Sequence, residues 1–447
     1  ITILNGIKSK LTDGSIVYDK ATDLVENKVT QSYFSRTQKD GKKGFKATYW
    51  NNPEMTGNVV ATDQIVNPLK LTTAGQHELA SGVKLEGFSA HYETEFEAPE
   101  TEEIVFKVGA TGRFELLVND SMLARYGNWR TLPSRIPYNV EKGKKYKFLI
   151  RYAQLNNWQA NLEFDFGKEL DIDFSGLVNK VKDAEVVVFV GGLSTLLEGE
   201  EMPVSYPGFK GGDRTDIQLP EVQRNCIKAL KAAGKKVVFV NCSGSAIGLV
   251  PETENADAIL QAWYGGESGG QAVADVLFGD YNPAGKLPVT FYKDTTQLPD
   301  FEDYTMKGRT YRFLTSAPLF PFGFGLSYTT FTIGNAKLAK AAVRKNETVQ
   351  LTIPISNTGN RSGVEVLQVY VRKAGDDDGP LKTLRAFQRV ELAAGQSKQV
   401  SLSLGADAFE FFDRKSGKMT VAAEDYEIWY GNSSATTDLK KATVSVQ

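Results

Sequence analysis

Hydrophobic spacing divides the 447 residues into four stretches. In the first, Ile3, Leu4, Ile7 and Leu11 recur at helical intervals, and Ser15-Ile16-Val17-Tyr18 follows as a strand-like run, so a helix and then a strand are predicted. From Gly44 the period falls to two. Apolar and polar residues alternate over 45–50, 90–98, 103–108, 114–118, 146–152 and 160–166, with turn residues between them. Short alternating strands at such close intervals predict a β-sandwich.

After about residue 170 the texture changes back. Residues 173–181 predict a helix, and Val186-Val187-Val188-Phe189-Val190 is an unbroken apolar run ending in Gly191-Gly192. Pro220 opens a further helix at an early position; Val222, Cys226, Ile227 and Leu230 form its apolar stripe, and Gly234 marks its stop. Residues 237–240 and 258–263 predict two more buried strands, and a glycine-rich turn at Gly266 leads into a helix that ends near Gly279. Apolar strands alternating with helices predict a largely parallel sheet covered on both faces. From Phe331 to Gln447 the alternation returns over 348–355, 365–371 and 426–431. The expected fold class is α/β plus all-β. Residues 1–35 and 171–330 form an α/β sandwich domain, 36–170 a β-sandwich inserted in it, and 331–447 a terminal β-sandwich.

Charge and composition narrow the function. Lys and Arg total 52 against 54 Asp and Glu, a net charge of −2, which gives no electrostatic basis for binding nucleic acid or an anionic membrane. No apolar run approaches the roughly 20 residues of a membrane span. Tyr (18) and Trp (5) are plentiful enough for sugar stacking, although β-rich cores use aromatics as well. Cys226 and Cys242 read as small apolar residues that do not pair. His77 and His91 have no Cys or His companions in sequence, so no transition-metal site is expected. Gly265-Gly266-Glu267-Ser268-Gly269-Gly270 lacks the Lys-Ser/Thr ending of a phosphate loop.

The densest chemistry lies in Leu197-Glu198-Gly199-Glu200-Glu201-Met202, followed by Gly211-Gly212-Asp213-Arg214. This loop leaves the carboxyl end of a predicted parallel strand, the edge at which open α/β sheets carry out chemistry. Neighbouring negative charge raises the pKa of a carboxyl group and suits it to proton donation. Further along stand Val238-Phe239-Val240-Asn241-Cys242-Ser243-Gly244-Ser245 and Gln261-Ala262-Trp263-Tyr264-Gly265-Gly266-Glu267. Asp275-Val276-Leu277-Phe278-Gly279-Asp280-Tyr281-Asn282-Pro283 and Phe320-Pro321-Phe322-Gly323-Phe324-Gly325-Leu326-Ser327-Tyr328 complete the series. In this order the pieces resemble the second catalytic domain of glycoside hydrolase family 3, the β-glucosidase/β-xylosidase family. The stretch 36–170 is similar to the PA14 module inserted in some of its members, and 331–447 to their fibronectin type III-like domain.

The resemblance implies a retaining, exo-acting β-D-glycosidase that removes terminal glucosyl or xylosyl residues, with no cofactor. It places the acid/base at Glu200, with Glu201 and Glu198 as alternatives, and gives Asp213 and Arg214 the role of supporting the loop through an ion pair. The family's nucleophile is an Asp in a Ser/Thr-Asp-Trp-like context on a (β/α)₈ barrel. Neither that tripeptide nor eight βα repeats occur here, so the expected partner is the barrel of the same enzyme, and the chain alone is expected to be inactive. Trp129, Arg130 and Trp158 are candidates to border the leaving-group subsite. Gly308-Arg309-Thr310-Tyr311-Arg312-Phe313 is similar to a segment of the β-xylosidase branch. The inserted module lacks the paired Asp of calcium-binding PA14 modules, so no metal is expected there. The expected location is periplasmic or secreted. A reading of another class is a non-catalytic carbohydrate-binding or adhesion protein.

Overall fold

The computed structural model describes residues 1–11, 16–128, 134–155, 159–195, 197–198 and 204–447. The chain forms two compact bodies. Ile1–Leu24, Ser175–Glu198 and Arg214–Gln447 make one; Val25–Phe174 and Gly199–Asp213 make the other.

The second body is the expected β-sandwich. One sheet runs β1 (Lys28–Ser32), β10 (Asn161–Asp171), β5 (Glu102–Ala110), β8 (Ser134–Val140). The other contains β7 (Ser121–Asn128), β6 (Gly112–Val118), β9 (Lys145–Ala153), β4 (Ser89–Glu97) and β2 (Phe45–Trp50) as hydrogen-bonded neighbours. A further antiparallel pair joins β10 to β3 (Leu69–Thr72). The inward positions of the strands supply an aromatic core. Phe106 meets Phe148 edge to face at 5.1 Å, and Phe148 meets Phe166 at 5.1 Å, a geometry favoured by the ring quadrupoles. Much of the aromatic content is therefore structural. The body begins earlier than the alternation suggested, at Val25, because β1 pairs along its whole length with β10, Lys28 against Asp171. Its sequence, Lys-Val-Thr-Gln-Ser, offers no apolar alternation to reveal that.

In the first body β11 (Val186–Gly192), β12 (Lys236–Cys242) and β13 (Ala258–Gln261) pair in parallel in that order. Helices α1 (Ile3–Lys10), α2 (Ser175–Lys180), α3 (Glu221–Ala232), α4 (Val250–Asn255) and α5 (Gly269–Phe278) belong to the same body, with a single further turn at Thr310–Phe313. The stripe of α3 is buried as expected, and Gly234 ends that segment at φ +75°. Two expectations fail. Residues 16–18 form no strand, and Val17 and Tyr18 are exposed; so short a run does not hold an extended shape without a ladder partner. The segment expected as a buried strand over 258–263 is shorter and less buried. It pairs only to Gln261, at the edge of the sheet, and Trp263 then turns the chain at φ +56°.

The same body carries the terminal sandwich. β14 (Val349–Asn357) pairs with β17 (Ser397–Leu404), and β19 (Lys440–Val446), β18 (Asp425–Gly431), β15 (Gly363–Lys373) and β16 (Thr383–Leu392) form the facing sheet in that order. Leu351, Ile353, Val369, Val371 and Ile428 fill the space between. The 308–328 segments dock onto this sandwich. Lys286 and Glu365 form a nearly buried ion pair at 2.8 Å, and Gln368 Nε2 donates to the Gly323 carbonyl at 3.0 Å. Gly323 sits at φ +80°, and a Cβ there would come within 2.0 Å of the Gln368 side chain. Tyr311 stacks on Phe322 at 4.4 Å and meets Tyr370 edge on. These contacts give the two motifs a joining role.

Candidate active site

The site grows from the end of β11. There Gln223, buried on α3, holds both backbone polar groups of one residue, Gly192. Its Oε1 accepts from Gly192 N at 2.7 Å, and its Nε2 donates to Gly192 O at 2.9 Å. Gly192 adopts φ +125°, and a Cβ on it would lie 2.0 Å from the Cys242 carbonyl oxygen. Only glycine lets β11 end this close to β12. Leu193 N then donates to Cys242 O, and a turn closes as Leu197 N and Glu198 N donate to Ser194 O at 2.9 and 3.3 Å. This turn sets the direction of Glu198.

Three segments converge on its carboxylate. Ser245 Oγ, from the loop after β12, donates to Glu198 Oε1 at 2.8 Å. Tyr264 OH, from the turn after β13, donates to Oε2 at 3.4 Å. Arg214 Nη1 stands 4.0 Å from Oε1 and 3.4 Å from Ser245 Oγ. The guanidinium is fixed from behind by the carbonyls of Asp216 and Gln218, at 3.1 and 3.0 Å. Ser245 is placed in turn by Ser243, whose Oγ donates to Ser245 O at 2.9 Å. Asn241 and Gln261, on adjacent strands, bond to each other at 2.6 Å and both to Ser243 Oγ at 3.2 Å. The site is thus built across the carboxyl ends of all three parallel strands.

Burial lowers the pKa of Arg214, opposed by the negative charge of Glu198. Burial raises that of Tyr264, and Glu198 adds to the rise. Tyr264 remains 44% exposed, so the cluster opens to solvent on that side. The arrangement orients a carboxylate and surrounds it with hydroxyl donors. One carboxylate alone cannot perform double displacement.

Of the residues singled out in the sequence, Glu198 and Arg214 meet here. Asp213 is exposed, and Arg214 Nη1 stands 4.0 Å from Glu198 Oε1. Glu200, Glu201, Trp129, Arg130 and Trp158 lie outside the described residues. Sequence reasoning missed the roles of Ser245 and Tyr264. Their signal was positional: each lies three residues past the end of a parallel strand, at Cys242 and Gln261. Among the described residues no group of three or more His, Cys, Asp or Glu side chains is gathered for a metal ion. Likewise, no helix is long and apolar enough to cross a membrane.

Comparison with known proteins agrees with this architecture. Residues 365–434 match a fibronectin type III-like domain. A xylan 1,4-β-xylosidase of Xylanibacter ruminicola is 49% identical over 448 residues, covering 100% of this chain and 52% of that protein. A periplasmic β-glucosidase of Salmonella typhimurium is 38% identical over 263 residues, covering 55% of this chain and 33% of that protein. The chain therefore spans about half the length of the first relative and a third of the second. A solved β-glucosidase from Kluyveromyces marxianus, in complex with glucose, shares the fold over 100% of this chain and 55% of its own, with a TM-score of 0.61 at 24% identity. Residues 1–328 match the glycosyl hydrolase family 3 C-terminal domain, and the chain belongs to that family.

Proposed function

We propose that the chain carries the acid/base half of a retaining, exo-acting β-glycosidase that removes terminal non-reducing xylosyl or glucosyl residues from β-linked oligosaccharides. Glu200 protonates the leaving glycosidic oxygen and in the second step takes a proton from water. The observation that carries this reading is that Glu198 is already engaged by Ser245, Tyr264 and Arg214. A carboxylate so held serves to orient the loop and to bias the charge of its neighbour, which leaves donation to Glu200 two residues on, with Glu201 as the alternative. Arg214 supports the loop by holding Glu198.

Retention needs a second carboxyl group about 5–5.5 Å from the first. Its source in this reading is an Asp on a (β/α)₈ barrel elsewhere in the same protein. Two observations support such a partner. The 447 residues contain no Ser/Thr-Asp-Trp tripeptide, and the first body leaves Phe301, Tyr304 and Leu326 largely exposed, as surfaces awaiting a partner do. Xylosyl substrates are favoured over glucosyl ones because the relative named a xylan 1,4-β-xylosidase is 49% identical over the whole chain, against 24% for the β-glucosidase structure that also covers it. The inserted sandwich is assigned to the PA14 type, with Trp129, Arg130 and Trp158 bordering the leaving group, and the protein to the periplasm or the exterior.

Hydrolysis of aryl β-D-xyloside and aryl β-D-glucoside by the chain alone, and by the protein extended through its barrel, tests the reading. Turnover is expected only with the barrel present. Robust turnover by the 447 residues alone overturns the division of the site. No turnover in either form favours a non-catalytic carbohydrate-binding protein.

A further inference from the structure

The chain leaves the first body at Glu198 and returns to it at Arg214, while Gly199–Asp213, which contains Glu200 and Glu201, belongs to the body of the inserted sandwich. The described part of this segment folds as a hairpin. Ser205 and Tyr206 pair with Lys210 and Phe209, and Gly211 N donates to the Val204 carbonyl at 2.8 Å. Pro207-Gly208 makes the turn, with Gly208 at φ +86°, a backbone that glycine adopts without strain. Two strands of this length are not stable by themselves. Val204 and Phe209 are nevertheless buried, so the hairpin is seated on a larger surface, and the body it is part of is the sandwich.

The sandwich offers a built seat. Arg135 on β8, Lys107 on β5 and Asp165 on β10 stand opposite one another. Their chain neighbours Phe106, Phe164 and Phe166 are buried in the core, so the row lies on the outer face of its sheet, as strand alternation requires. Such a face ordinarily meets water. Here Arg135 binds Glu26 at 2.6 Å and also Glu169, Lys107 stands 3.9 Å from Glu26, and the Glu26 and Glu169 side chains are only 21% and 16% exposed. Tyr206 is half-buried beside this cluster: burial and the charge of Glu26 raise its pKa, and Arg135 opposes the rise. In the first body, Ser245, Tyr264 and Arg214 hold Glu198. Residues 199–203 alone bridge the two anchors, and a short bridge between fixed ends has few conformations open to it.

We propose that the inserted sandwich is the positioning module of the acid/base loop: through Tyr206, Glu26 and Arg135 it holds the 204–210 hairpin and so fixes where Glu200 and Glu201 are presented. The grip stands apart from the acid/base reading; its catalytic consequence rests on that reading. Amide hydrogen exchange of the 447-residue chain tests the grip. Tyr206→Ala and Arg135→Ala should each speed exchange at Gly211 by about tenfold, because local opening becomes easier, and leave β14 of the terminal sandwich unchanged. In the protein extended through its barrel, Tyr206→Ala should lower kcat on xylobiose by about 10–10², the scale of a small misplacement of a catalytic group, with KM unchanged. The loss should be smaller on an activated aryl β-D-xyloside, whose leaving group needs the acid least. Tyr206→Phe, which keeps the ring in place, should recover most of the rate. Unchanged exchange at Gly211 in both variants overturns the grip. Faster exchange with kcat unaltered, or lowered equally on both substrates, overturns the positioning role. Failure of the acid/base reading is a separate result: the carboxylate variants of the loop then show no azide rescue, whatever Tyr206 does.

Discussion

The carboxylate of Glu198 illustrates how much a single side chain depends on its surroundings. Ser245 and Tyr264 donate to its two oxygens from loops that follow different strands, and Arg214 faces it. In the protein extended through its barrel, Glu198→Ala should lower kcat/KM by about 10–10² and displace one limb of the pH profile, because a charge beside the acid/base is removed. Azide should not restore the rate. A rate restored by azide would make Glu198 the acid/base itself. A second carboxyl group stands out for a different reason. Glu252 on α4 is 1% exposed, with Arg224 at 3.8 Å and its Oε2 without a hydrogen-bond partner among the described residues. Burial pushes its pKa up to about 7, against the backbone and Arg224. The folded chain therefore holds this proton at pH values where the unfolded chain has released it. Stability from this group is fully present below the unfolded value near 4.5 and is lost as pH rises through about 7. Glu252→Gln should remove that dependence. Relative to the wild type it should gain about 1–3 kcal/mol between pH 5 and pH 8 in urea unfolding; an equal pH slope in both proteins would contradict the burial. The Glu198 loop was legible in the sequence because three carboxylates follow one apolar run. Glu252 was not, since only the packing of α3 against α4 decides that it is buried.

At the level of elements, glycines fix one close approach. Helices α1 and α5 cross at Gly6 and Gly270, where a Cβ on Gly6 would lie 2.1 Å from the Gly270 carbonyl oxygen. Gly6→Ala must therefore push the helices apart. Overpacking of this kind costs about 1–3 kcal/mol, against a gain of about 1 kcal/mol in helix propensity. A net loss is expected, read as a lower urea midpoint with an unchanged m-value; a stabilised variant would show that the crossing is looser than described. The helices themselves were legible. Thr2 caps α1, accepting from Asn5 N at 3.2 Å, and the stripe Val222, Cys226, Ile227 and Leu230 turned inward as its spacing required. Strands depending on a distant partner were less legible. Lys28–Ser32 is a strand because Asp171 to Gly167 lies beside it, whereas 16–18 has the right residues and no ladder.

For the whole molecule, the alternation of period two and period 3.6 told the strand-rich stretches from those in which helices alternate with parallel strands. It did not reveal that the 308–313 and 320–328 motifs serve the terminal sandwich, where Gly323 makes room for Gln368 and Lys286 reaches Glu365. That role follows from tertiary neighbours far apart in sequence. The division of labour proposed for the full protein puts the nucleophile on a barrel and the proton donor on the loop after β11. General acid catalysis contributes about 10²–10⁴-fold, most where the leaving group is poor. In the protein extended through its barrel, Glu200→Ala should therefore slow unactivated disaccharides severely and activated aryl glycosides modestly. The most direct measurement is the rate of the Glu200→Ala variant on an aryl β-D-xyloside with and without azide. Restored turnover with formation of a β-xylosyl azide is expected, because azide replaces the water that Glu200 would activate. If azide rescues the Glu201→Ala or Glu198→Ala variant instead, the loop keeps its role but the donor changes. If it rescues none of the three, the acid/base does not lie on this loop.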